Sequence, residues 1–178
     1  MGKIRIPENV LLICAVCYSP TAPVQEAMEK LTAEWGPIAA QTPAKEFRHT
    51  QYYQHEMGSR LKKFYCTFQA TIPPQTIVEA KLFTNTLEEK YSRGENRSIN
   101  LDPGYIEVPK LVLATTKNYS HRIYLNTGIY GDVQLFWQNG AFHANPWTYP
   151  DYQETDVVEF FTKSRNEYFN TLKRGKTT

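Results

Sequence analysis

No segment of this chain gathers basic residues into an arm or tail. Lys and Arg number 20 against 18 Asp and Glu, with 11 against 10 up to Glu95 and 9 against 8 beyond it. That near-balance lacks the clustered charge of a nucleic-acid binder, so nucleic acid is not an expected partner. No Gly-rich run ends in Gly-Lys-Ser/Thr and no G-x-G-x-x-G occurs. A P-loop is therefore excluded, and nucleotide binding would need another architecture. The longest apolar run, Val10 to Tyr18, is too short to span a bilayer, and no small-residue cleavage pattern follows Met1–Asn9; no membrane association is expected. Cysteine is scarce and odd in number. Cys14, Cys17 and Cys66 sit among apolar residues, unlike a secreted disulfide framework, which points to the reducing cytoplasm. Cys14-x-x-Cys17 has redox and zinc spacing but no second pair, and within a strand its two side chains would face opposite ways, as core thiols. His55-Glu56-Met57-Gly58 lacks the second His of a helical zinc site, which leaves His49 and His55 only as candidate loop ligands and predicts no metal centre.

What is present is a core. The 178 residues are one domain's length, and 41% hydrophobic with 13% aromatic content excludes a disordered chain. Such a domain folds without disulfide or metal. Val10–Cys17 reads as a central strand covered on both faces. Ser19-Pro20-Thr21 offers a helix start, and Val24, Ala27, Met28, Leu31 and Trp35 recur at helical spacing until Gly36-Pro37. Ile38–Arg60 reads as loop with a short helix near Gln51–Met57. Phe64–Ile72 alternates as a half-buried strand, and Thr76–Tyr91 is helical. Ile99–Val108 is extended, with a sharp turn expected at Asp102-Pro103-Gly104. Leu111–Thr116 reads as a strand; Arg122–Leu125, Ile129–Trp137 and Ala141–His143 follow, separated by Asn126-Thr127-Gly128 and Gln138-Asn139-Gly140, which suit hairpins. Asp156 and Glu159 precede a terminal amphipathic helix, with Lys173–Thr178 expected to fray. Together these predict a single α+β domain: a mixed β-sheet with two βα units, a C-terminal antiparallel meander and a closing amphipathic helix.

Polar residues concentrate between Asn100 and Asp151, among them Asp102, Lys110, Thr116, Lys117, His121, Arg122, Tyr124 and His143. If Leu111–Lys117 paired with Arg122–Leu125, Lys117 and Arg122 would face each other, and an anion between them would relieve their repulsion. His121, beside two cations, is then the general acid/base candidate, with Asp102 as its carboxylate partner. Asp102 also suits a plain turn residue. Lys81 and Asn85, four apart on one helix face, could reach the same ligand together with Glu88, although a solvated stripe looks the same in sequence. Trp147–Tyr152 is aromatic enough to wall a pocket or to anchor the last helix.

Tyr52-Tyr53, Glu56-Met57-Gly58, Lys81-x-x-Thr84-Asn85-x-Leu87-Glu88, Asn100-Leu101-Asp102-Pro103-Gly104-Tyr105, Lys110–Lys117, His121–Leu125 and Trp147–Tyr152 together resemble the bacterial domain-of-unknown-function family DUF4416, from Leu11 to about Tyr168. Members are sometimes labelled GTP-binding. The nearest approach here to a guanine-reading Asn-Lys-x-Asp is Thr116-Lys117-Asn118, which lacks the first Asn and the Asp. The resemblance implies a site that includes Lys81, Asn85, Asp102, Lys110, Thr116, Lys117, His121, Arg122 and Asp151; no cofactor follows from it. The function expected is a polar, basic-lined pocket for a small anionic metabolite or nucleotide, serving hydrolysis or group transfer. The alternative is a non-catalytic protein-interaction domain using the Tyr-rich segment 47–68. RNA binding through exposed aromatics is disfavoured by the neutral surface.

Overall fold

The computed structural model describes residues 2–49, 54–92, 94 and 96–175. Strand β1 (Val10–Tyr18) lies near the middle of one sheet. Its alternation sends Leu12, Cys14 and Val16 to one face and Leu11, Ile13 and Ala15 to the other, and each set belongs to a separate buried cluster. An antiparallel sheet often leaves one face wet; here both are covered. Helices α1 (Val24–Trp35) and α3 (Ile77–Lys90) pack Ala27, Leu31, Ile77 and Leu87 on the first face. The terminal helix α4 (Thr155–Gly175) packs Val157, Phe161 and Tyr168 on the second. Each large apolar side chain taken fully from water contributes about 1.5–3 kcal/mol, which is what holds α4 on the sheet.

The other elements are β2 (Ile38–Gln41), β3 (Lys45–Glu46), the four-residue α2 (Gln54–Met57), β4 (Lys62–Ile72), β5 (Ile99–Glu107), β6 (Lys110–Thr115), β7 (Arg122–Asn126), β8 (Ile129–Gln138) and β9 (Ala141–Ala144). The sheet order is β2-β4-β1-β5-β6-β8-β7, with β3 on β4 and β9 on β8. The expected α+β domain with a C-terminal meander and a closing helix is what forms. The mixed sheet is not, since all these pairings are antiparallel. The physical reason is that each helical crossover skips a place: α1 carries the chain from β1 to β2 with β4 between them, and α3 carries it from β4 to β5 with β1 between them. Strands joined by a helix run the same way without touching, the split βαβ arrangement of ferredoxin-like folds.

Several local expectations are corrected. Residues 38–46 are not all loop, because the edge strands β2 and β3 are too short to show a period; part of the helix expected at Gln51–Met57 lies outside the described residues. Helix α1 starts after Pro23 rather than at Ser19-Pro20, and α4 continues through Lys173 to Gly175, with 176–178 outside the described residues. Strand β4 is buried on both faces in its first half, with Tyr65 and Thr67 covered as well as Phe64, Cys66 and Phe68. Asp102-Pro103-Gly104 makes no sharp turn but continues inside β5. Pairing with β6 begins only at Gly104, so Pro103 sits where that side of β5 is still open, which is where a strand tolerates proline. Gly104 is needed for close approach, because a Cβ there would lie 2.5 Å from the Val112 carbonyl oxygen and 2.7 Å from a Leu113 methyl carbon. The hairpins after β7 and β8 form as expected, with Thr127-Gly128 and Asn139-Gly140 both left-handed (φ 50° and 77°, 50° and 82°).

Candidate functional site

The polar face of α3 is not a solvated stripe. Lys81, Asn85 and Glu88 lie along it at helical spacing, and α3 rests on β5, so that Lys81 and Glu88 are each only 5% exposed. Such burial requires partners. The Lys81 ammonium donates to the Leu101 carbonyl oxygen at 3.0 Å and to Asp102 Oδ1 at 3.1 Å, with Glu88 Oε1 at 3.9 Å. Glu88 accepts from the Leu101 backbone N–H at 2.7 Å and from Arg97 at 2.9 Å. Arg97 also grips Glu56 with two bonds, at 2.5 and 2.9 Å, and reaches Asn100; Asn100 donates to Asp102 Oδ2 at 2.6 Å. Burial opposes the Asp102 charge, but Lys81 and then Lys63 outweigh it, so its carboxyl lies below the ordinary value. Burial likewise opposes the Lys81 charge and is overcome by Asp102 and Glu88, which raise it. For Glu88 burial prevails over Lys81 and the carboxyl is raised. Lys81 is thus a buried cationic strut, with hydrogen bonds to Leu101 and Asp102.

This network floors a small hollow that Asn85, Thr116 and Lys117 also line. Asp102, Leu113, Lys117 and Tyr149 line it jointly with a larger, more aromatic cleft of about 490 Å³, within the range of small-molecule sites. Arg122 fixes the cleft's rim. Its guanidinium donates to Asp132 Oδ2 at 2.7 Å, to the Lys117 carbonyl oxygen at 3.0 Å and to the Tyr149 hydroxyl at 2.7 Å, while lying 4.8 Å from the Tyr119 ring centre. Burial pushes the Tyr149 phenol up to about 12. His121 is stacked between Tyr119 (6.1 Å) and Trp147 (5.1 Å), with Nε2 at 3.6 Å from Asp132 Oδ2. Asp132 also accepts from the Gln134 side-chain amide, whose Oε1 receives the Tyr149 backbone N–H. At the inner end, Asp151 takes a bond from Lys63 at 2.5 Å and another from the Tyr65 hydroxyl.

Of the residues singled out from sequence, Lys81, Asn85, Thr116, Lys117 and Asp102 line the small hollow, and Asp102, Lys117, His121, Arg122 and Asp151 the cleft. Lys110 is elsewhere: it starts β6 at the end away from Thr115 and pairs with Glu107. Tyr124 points outward on β7 against Tyr130. The juxtaposition that led to Lys117 and Arg122 is corrected, because β6 and β7 do not pair; β8 lies between them and carries Asp132 to Arg122. The guanidinium is therefore neutralised by a carboxylate. Asp102 is bonded to Lys81 and Asn100, and the acid beside His121 is Asp132. His49 meets Glu154 at 2.5 Å, the His55 side chain lies outside the described residues, and no group of three metal-ligating side chains occurs among the described residues. In the Tyr-rich segment, Phe64, Tyr65 and Phe68 are core residues, and Tyr52 and Tyr53 lie outside the described residues.

Sequence reading missed Asp132, Gln134, Lys63 and Arg97; Tyr149 belongs to the Trp147–Tyr152 cluster expected to wall a pocket. A signal existed for the first two: Asp and Gln at alternate positions of an otherwise apolar strand are disfavoured there unless they are partnered.

No helix among the described residues is long and apolar enough to cross a membrane. Comparisons with curated proteins and with solved structures returned no match. A family model does match, over residues 8–168. The chain belongs to that family, Domain of unknown function (DUF4416).

Proposed function

We propose that this protein is a cytoplasmic small-molecule binder whose cleft takes an anionic metabolite with a planar ring, a nucleotide being the class that fits both ends. The observation that carries the reading is the juxtaposition of two surfaces in one crevice. Trp147, Tyr149, Phe47 and Tyr119 supply ring faces in the large cleft, and Asn85 with Thr116 supplies side-chain hydrogen-bonding groups in the adjoining polar hollow. Aromatic walls with a few placed polar groups are what small-ligand sites use. His121 beside Asp132 adds a proton-transfer group, so hydrolysis or group transfer on the bound molecule is the matching reaction class. Asp102, kept ionised by Lys81, is the carboxylate shared by both compartments.

Thermal-shift screening of nucleotides, phosphosugars and carboxylates, with and without divalent metal, tests the reading, because a ligand selective for the folded state raises Tm. A hit at about 100 times its Kd stabilises by about 2.7 kcal/mol. It should vanish in Trp147→Ala, which strips the wall of its largest ring. Absence of any hit across those classes refutes the proposal and turns attention to the exposed Ile123, Tyr124 and Leu125 on β7, the surface best suited to a protein partner.

A further inference from the structure

Tyr152 is 1% exposed, yet its hydroxyl is buried without a hydrogen-bond partner while the residue lines the large cleft. Buried hydroxyls are nearly always satisfied, so an orphan at a cleft wall marks a place where something else supplies the acceptor. Beside it stands Lys63. Its ammonium lies 5.4 Å from the Tyr152 ring centre, 5.4 Å from that of Tyr65 and 4.9 Å from that of Phe47. An ammonium carries three donors, and among the described residues Asp151 is the one hydrogen-bond partner of Lys63. Two nearby acids weigh against an anion. Asp151 is answered by Lys63 and the Tyr65 hydroxyl, both on Oδ2, and Asp102 by Lys81 and Asn100. Donor capacity on Lys63 and Tyr152 is left unspent at the inner end. Burial pushes the Tyr152 phenol well above its ordinary value, which keeps it a donor at neutral pH.

We propose that Tyr152 and Lys63 form an oxyanion subsite at the inner end of the cleft, which takes the phosphate or carboxylate end of the ligand. This rests on the reading of the cleft as an anion-binding site and relocates its charged end, away from the Lys117 and Arg122 rim.

The test is an NMR titration of the full chain with inorganic phosphate and, separately, with acetate, on the wild type and on Lys63→Met, Tyr152→Phe, Lys117→Ala and Lys110→Met. The two anions tell a phosphate end from a carboxylate end. The expected result is saturable shifts at residues 149–152 and 63, weakened about tenfold or more by Lys63→Met and by Tyr152→Phe, as loss of a hydrogen bond to a charged group implies. Lys110→Met should bind as the wild type does. Tyr152→Phe should keep or raise Tm, since its ring stays stacked on Phe161 (5.7 Å) and an unsatisfied group is removed. A Tyr152→Phe variant with lowered Tm and unchanged binding would make the hydroxyl structural and overturn the subsite. Binding that weakens in Lys117→Ala but not in Lys63→Met or Tyr152→Phe overturns the subsite and leaves the cleft reading intact. No saturable binding of either anion by the wild type overturns both.

Discussion

Lys81→Met removes an ammonium and keeps the length of its stem, so it isolates the electrostatic role of the strut beneath the site. Two acceptors lose a donor at once, the Leu101 carbonyl oxygen at 3.0 Å and Asp102 at 3.1 Å, and Glu88 loses an ion-pair neighbour at 3.9 Å. Lys81 is 5% exposed, so water does not replace it readily, and breaking a buried ion pair from one side costs about 3–5 kcal/mol. For a chain of this length each kcal/mol is worth about 2–4 °C, giving a fall in Tm of about 6–20 °C. Urea unfolding at constant m-value is the assay.

The sign with pH sharpens this prediction. In the wild type Asp102 is depressed, so its contribution is present above the unfolded value of about 3.9 and is lost as pH falls through the folded one. Lys81 is raised; its contribution is complete below the unfolded value of about 10.4 and is lost as pH rises through the folded one. Glu88 is raised, so the native state holds its proton longer and stability declines with rising pH from about 4.3 through the folded value. Without Lys81, burial of Asp102 is still opposed by Lys63 and the Asn100 hydrogen bond but by less, so its carboxyl moves up. The penalty of the variant should therefore be largest near neutrality and shrink on acidification. A cost under about 1 kcal/mol, or one indifferent to pH, would refute the strut.

Gly104→Ala should destabilise by about 2–3 kcal/mol, because the added carbon meets the Val112 backbone oxygen at 2.5 Å and cannot move away without parting β5 from β6; chemical denaturation reads this directly, and a neutral result would mean the two strands are not so close. Asp132→Asn should cost about 3–5 kcal/mol by leaving the Arg122 guanidinium buried beside a neutral amide. The loss should be partly rescued by adding Arg122→Met, with the double-mutant coupling as the measure; independent, additive losses would show that Asp132 is not the partner that holds the rim.

Much of the fold was legible because its signals are local. The unbroken apolar run of β1, the helical spacing of α1 and α3, and the turn chemistry of Thr127-Gly128 and Asn139-Gly140 each depend on neighbours within a few residues. Strand adjacency is not local. The order that inserts β4 between β1 and β2, and β8 between β6 and β7, is set by which apolar faces bury best together. Asp102-Pro103-Gly104 carries strong turn residues, but Pro103 meets an unpaired stretch of β5 and Gly104 a close approach to β6, so tertiary context overrode propensity. Lys81, Asn85 and Glu88 read equally as a ligand-facing set or a solvated stripe, and nothing within α3 reveals that β5 covers Lys81 and Glu88.

The sequence by itself determined most of the elements, the two-sided cover of β1, the absence of a P-loop and the polar residue types gathered between Asn100 and Asp151, since composition and periodicity are properties of the chain alone. Only the tertiary structure decided which charges answer one another. Asp132 reaches Arg122 and His121 through the pairing of β7 with β8, and Asp151 reaches Lys63 across 88 residues of chain. Charge pairing depends on distances of a few ångströms in space, and those exist only once the sheet order has been chosen by packing.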